Sequence, residues 1–254
     1  FNPTKNKKNI YLPIETKQRE YLSNLLIAQK AATKGFRTFI GTKEAIFDLI
    51  LNKKERKGIF LYKGGLEPNL FEKISKKVQY NFILDHEMTP GKNMSFYNKE
   101  VGGNFFKETF QYIDGYFCVN KKVYKVAKKK IEKKIRGKVY LTGWPRNDLF
   151  KEKFKNLHLK KTKKIKKKFK NFILFSSDFS YISEYRDFTA QEFINFGSRN
   201  KVEKIKTFQE VADFSFNDFN CVVEFFNSIF KKLKNQKIVI RAQPTDNTTV
   251  WRKK

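Results

Sequence analysis

The feature that most limits the folds open to this chain is the regular return of short apolar strands. Each is followed by a helical stretch, and many end in polar residues. The segments "IYLPI" (10–14), "FRTFIG" (36–41), "GIFLYKG" (58–64), "YNFILD" (80–85), "GYFCVN" (115–120) and "KVYLTG" (138–143) are all of this type. Their β-branched and aromatic content suits a pleated, buried surface. Residues 17–34 read as the first helix, with Leu22, Leu25, Leu26 and Ala32 at helical spacing and Gly35 at its C-terminal stop. Thr42 is placed to cap a second helix, "KEAIFDLILNK", and further helices are expected near 68–78 and 121–134. Strand–helix alternation of this kind predicts an α/β fold built on a parallel sheet.

The pattern changes at "LKKTKKIKKKFK" (159–170), which is almost wholly basic and has no apolar face wide enough for a core helix. It reads as a solvated helix or linker, with a membrane-facing basic patch as the alternative. The strand pattern restarts with "NFILFSSDFS" (171–180), a helix near 217–234 and the strand "QKIVIRAQP" (236–244). The expected organisation is an N-terminal Rossmann-like domain over 1–155, a basic linker over 156–170 and a partial second Rossmann-like domain over 171–254. The second region has two clear strands, too few for a doubly wound domain, so the chain reads as cut short at its C-terminal end. A start on Phe1 suggests trimming at the N-terminal end as well.

Composition narrows the classes of partner. With 254 residues and 40% apolar content the chain has enough material for a sizeable core. No run approaches the roughly 20 apolar residues of a membrane span. Formal net charge is +30, yet nine of the 55 basic residues are Arg and the other 46 are Lys, spread along most of the sequence. Nucleic-acid sites favour the bidentate fork of Arg, so this diffuse lysine excess argues against a nucleic-acid binder. It suits an anionic membrane surface better, since that attraction needs no fixed geometry. Cys118 and Cys221 are far apart in apolar settings, which points to buried free thiols, a reducing cytoplasm and no metal spacing.

Ligands of open α/β sheets bind beyond the carboxyl ends of the strands, and five segments bring polar residues there. "PIETKQRE" holds Glu15, Arg19 and Glu20, with an i,i+4 ion pair between Glu15 and Arg19 as the structural reading and a substrate-facing Arg19 as the functional one. "DHEMTPG" puts Asp85, His86 and Glu87 in a row, where a general base for a hydroxyl could sit. In "LTGWPRNDLF", Thr142 and Gly143 leave the strand, Pro145 sits in the turn or opens a helix, and Asn147 or Asp148 is the cap. Such a turn does not require Arg146, and a guanidinium at a helix N-terminus makes a phosphate or carboxylate site. "SSDFS" supplies Ser177 and Asp178, and "RAQPTDN" supplies Arg241 and Gln243. A serine nucleophile is disfavoured because no G-x-S-x-G elbow is present.

These five segments, in this order, resemble the bacterial surface carbohydrate (surface polysaccharide) biosynthesis proteins. More distantly they resemble the CDP-glycerol glycerophosphotransferases of teichoic acid synthesis. Thr142-Gly143-Trp144-Pro145-Arg146-Asn147-Asp148 matches that family's T-G-x-P-R-x-D, the most specific piece. The resemblance implies a GT-B-like architecture of two Rossmann-like domains facing a cleft, the second incomplete in this chain. It implies transfer of a sugar or polyol phosphate from a nucleotide-activated donor to a glycan or lipid-linked acceptor, without a metal or other cofactor. Glu87 or His86 would be the base, with Asp85 beside them. Arg146 and Arg241 would meet phosphate, together with Glu15, Arg19, Thr142, Gly143, Asp148, Ser177, Asp178 and Gln243 as binding residues. Gln243 stands where the family has His, which favours as the alternative a non-catalytic glycan- or nucleotide-binding relative. The implied location is cytoplasmic, at the inner face of the membrane.

Overall fold

Residues 8–52, 57–64, 66–85, 93–103, 105–177, 205–233 and 236–242 are described by the computed structural model. The first six apolar runs become β1 (Asn9–Ile14), β2 (Arg37–Thr42), β3 (Gly58–Tyr62), β4 (Tyr80–Leu84), β5 (Gly115–Cys118) and β6 (Lys138–Leu141). They form one parallel sheet in the order β2-β1-β3-β4-β5-β6. The helices of this region are α1 (Lys17–Ala32), α2 (Lys43–Asn52), α3 (Pro68–Lys77), α4 (Met94–Glu100), α5 (Lys121–Lys130) and the single turn α6 (Pro145–Asp148). The chain is therefore α/β with a Rossmann-like parallel sheet. It divides into two units, 1–157 and 158–254.

Alternation along the strands sends side chains to two cores. Tyr11, Phe60, Tyr62, Ile83, Tyr116 and Val139 join Ile46, Phe47, Phe71, Ile74 and Val123 of α2, α3 and α5 in the larger one. Phe60, Tyr116, Ile74 and Val123 are fully buried there, each contributing roughly 1.5–3 kcal/mol of apolar burial. On the other face Ile10 and Leu12 meet Ala28 and Ala31 of α1. Thr42 Oγ1 accepts the Ala45 N–H at 3.3 Å, as its capping role requires, and Gly35 takes a left-handed φ of +80° after α1.

The leucines of α1 depart from the amphipathic expectation. Its buried residues are Glu20, Ser23, Asn24, Ala28 and Ala31, whereas Leu22 and Leu25 are 41% and 45% exposed. Small side chains let the helix lie close to the sheet, and the Asn24 amide donates to the Pro13 carbonyl at 3.3 Å. The leucines instead line an apolar groove with Leu149, Phe154 and Leu157.

α7 (Asn156–Phe169) starts at the end of the first unit, runs into the second and has no buried residue. It is followed by β7 (Phe172–Ser176), α8 (Ile205–Lys232) and β8 (Lys237–Arg241). β7 and β8 pair in parallel, from Phe172 opposite Lys237 to Ser176 opposite Arg241. Phe226 of α8 meets the Phe175 ring edge-on at 4.7 Å. α8 starts well before residue 217. Cys118 is buried as expected, but Cys221 is exposed on α8. Among the described residues no helix is long and apolar enough to cross a membrane.

The amino-terminal edge of the sheet is closed by Asp114, whose Oδ2 accepts from the Asn81 N–H at 2.7 Å and from Arg136 Nη2 at 2.9 Å. Gly137 passes so close that a Cβ there would lie 1.7 Å from the Asp114 carbonyl oxygen. Gly137→Ala should destabilise the protein by roughly 2–3 kcal/mol in urea denaturation, because backbone rather than a flexible side chain must move.

Candidate functional site

Strand order sets where a ligand would sit. From β1 the chain steps outward to β2, then crosses back to β3 on the other side of β1. The loops that leave β1 and β3 therefore diverge at the carboxyl edge, the position where open α/β sheets hold ligands.

A charge cluster fills that crevice. Glu15, the residue after β1, accepts a hydrogen bond from the Tyr62 hydroxyl, Oε2 lies 2.7 Å from Lys63 Nζ, and Oε1 lies 3.5 Å from Lys43 Nζ. Glu20, in the first turn of α1, accepts the Glu15 N–H at 2.8 Å and lies 3.6 Å from Lys63. Lys63 thus bridges two carboxylates with only 17% of its side chain exposed. Pro13, Glu20, Asn24, Leu61, Tyr62 and Lys63 line a small cleft of about 20 Å³ there. Burial alone would raise the Glu15 carboxyl, but hydrogen bonds from Lys63 and Tyr62 and the charges of Lys63 and Lys43 outweigh it. The group is held below its ordinary value of 4.5. Burial and the neighbouring Glu15 carboxylate push Tyr62 well above the usual phenol range, so it stays a hydrogen-bond donor.

A second cluster lies at the ends of β4, β5 and β6. Asp85 follows β4, is 4% exposed, and accepts a hydrogen bond from the Tyr116 hydroxyl. Burial and the Asp85 charge raise Tyr116 far above its ordinary value, and they push the Cys118 thiol up to about 12, which leaves it unreactive. The Trp144 indole N–H donates to the Asp85 carbonyl at 2.6 Å, and the Arg146 guanidinium stacks over the Trp144 ring at 4.9 Å. The loop after β6 is thereby tied to the end of β4. Arg146 makes no ion pair with any described residue and is half-buried.

Two local expectations need correction. α1 begins at Lys17, so Glu15 lies outside the helix and turns toward β3, while Arg19 is exposed and unpaired with it. In the loop after β6, Pro145 starts the helix with Trp144 at the cap position, so Asn147 and Asp148 lie inside the turn. Asp148 pairs instead with Lys151 at 2.7 Å. A helix of one turn has little dipole to offer an anion, so Arg146 must act through its own charge.

Of the other expected residues, Thr142 is exposed and its hydroxyl donates to the Gly143 carbonyl at 3.1 Å, with Gly143 at φ +79°. Ser177 and Arg241 adjoin at the carboxyl ends of β7 and β8, where the Ser177 N–H donates to the Arg241 carbonyl at 3.0 Å. The Arg241 side chain is exposed. His86, Glu87, Asp178 and Gln243 lie outside the described residues.

Lys43, Tyr62, Lys63 and Tyr116 were not singled out from sequence. Tyr62 and Lys63 end an apolar strand, the same signal that identified the other segments. Lys43 and Tyr116 carry no such mark. Among the described residues no group of His, Cys, Asp and Glu is placed to hold a metal ion.

No family model, curated protein or solved structure matches this chain. The fold and these clusters define it as a Rossmann-like α/β protein with a charged crevice at its strand-order reversal.

Because the folded Glu15 carboxyl titrates below 4.5, its stabilising contribution is complete above that pH and disappears as pH falls through the lower folded value. Between pH 7 and pH 3, wild type should lose on the order of 1 kcal/mol more stability than Glu15→Gln in urea titrations, a figure discounted for solvent access. A double-mutant cycle of Glu15→Gln with Lys63→Met should show a coupling of about 1 kcal/mol.

Proposed function

We propose that the chain is part of a GT-B-like transferase of surface polysaccharide biosynthesis, moving a sugar or polyol phosphate from a nucleotide-activated donor to a glycan acceptor. The observation that carries this reading is the loop 142–148, in which Trp144 is bonded to the Asp85 carbonyl and carries an arginine that pairs with no carboxylate among the described residues. The charged crevice between β1 and β3 and the basic carboxyl end of β8 support it. Residues 1–155 would take the acceptor and 171–254 the donor.

In this mechanism His86 or Glu87 takes the proton of an acceptor hydroxyl. The resulting oxygen nucleophile attacks the anomeric carbon, or the phosphorus of an activated polyol phosphate. The bond to the nucleotide leaving group breaks, and its negative charge is met by Arg146. Asp85 stays fixed by Tyr116 at the end of β4. Glu15 and Lys63 orient hydroxyl and phosphate groups at the crevice.

A thermal-shift screen of the chain against CDP, CMP, UDP and GDP sugars tests the reading. At a ligand concentration about 100 times its Kd, binding should stabilise the fold by roughly 2.7 kcal/mol, read as a rise of several degrees in Tm. Arg146→Ala should abolish the rise without lowering the unliganded Tm by more than a degree or two. The reading fails if no nucleotide raises Tm, or if Arg146→Ala leaves the rise intact. Turnover that survives His86→Ala combined with Glu87→Ala would remove the base assignment.

A further inference from the structure

We propose that α7 is an electrostatic docking element for the surface of an anionic lipid bilayer. The helix carries Lys160, Lys161, Lys163, Lys164, Lys166, Lys167 and Lys168, and no carboxylate occurs anywhere between Lys153 and Ser177. No residue of α7 is buried, and none of those seven lysines pairs with an acidic side chain among the described residues. Lysines spaced three and four apart, such as Lys160, Lys164 and Lys168 or Lys163 and Lys167, repel one another along the helix. Nothing within the described residues relieves that repulsion. A sheet of lipid phosphates would, and each lysine brought near such a surface contributes on the order of fivefold to binding.

The same helix exposes Leu157 (56%), Leu159 (37%) and Ile165 (47%). A nucleic-acid backbone has no use for these side chains, whereas the headgroup boundary of a bilayer accepts them between the lysines. Lysine rather than arginine throughout the helix also fits a surface that requires charge density and no bidentate geometry. This assignment does not depend on the transferase reading, since it concerns only where the protein resides.

The test is co-sedimentation of the whole chain with vesicles of phosphatidylcholine alone and of phosphatidylcholine with about 30% phosphatidylglycerol, at salt of roughly 0.1 M and roughly 0.5 M. Binding is expected to the anionic vesicles at low salt only. Replacing Lys160, Lys163, Lys164 and Lys167 together by Gln should weaken it by roughly two orders of magnitude or more. Replacing Lys121, Lys125, Lys129 and Lys133 by Gln, an equal loss of charge near α5, should weaken it by less than about threefold, with the α7 lysine-to-arginine version binding like wild type. Circular dichroism and Tm of each variant confirm that folding is kept. The proposal is overturned if both Gln variants lose binding equally, if neutral vesicles bind as well, or if a single-stranded oligonucleotide displaces the protein from vesicles and holds it at the higher salt. A lack of nucleotide binding in the thermal-shift screen would leave these outcomes unchanged, so the two readings fail separately.

Discussion

The reversal of strand order at β1 is the constraint on which the rest of the candidate site depends. Because β2 and β3 lie on opposite sides of β1, no crossover helix can close the space above its carboxyl end. The chain fills that space with charge. Glu15 and Glu20 enter from the β1–α1 connection, Lys63 from the end of β3 and Lys43 from the start of α2. An ion network half-withdrawn from water costs desolvation, and here every carboxylate has at least two partners to offset it. The same network fixes the entry of α1, whose inner face is polar or small because it must lie against this end of the sheet.

A second polar junction joins the far strands. Asp85 is held through its side chain by Tyr116 and through its carbonyl by Trp144. The tryptophan thereby does two things at once. Its indole N–H anchors the loop after β6, and its ring face carries Arg146, a cation–π contact that keeps the guanidinium in place without neutralising it. Stacked this way, the guanidinium makes no ion pair with any described residue.

Charge is divided by function along the chain. Around the crevice lysines are matched by carboxylates. On α7 no described carboxylate matches them, and no residue of the helix is buried. Lysine abundance as a bulk property says little, but the contrast between paired and unmatched lysines is informative.

The strand–helix alternation alone determined the α/β class, the six strand positions and the polar strand ends, since these follow from local side-chain periodicity. Gly35, Thr42 and Pro145 likewise announced their turns, because their backbone preferences act within a few residues. The tertiary structure decided what periodicity cannot carry. It set the strand order, and with it the crevice that brings Lys43 and Lys63 to Glu15. It turned the α1 leucines outward, since amphipathic spacing identifies an apolar stripe but not the surface that stripe will meet. It placed Cys221 in solvent for the same reason. It joined Trp144 to Asp85 across 59 positions of sequence, a contact that no local pattern encodes because it exists only once β4, β5 and β6 lie side by side.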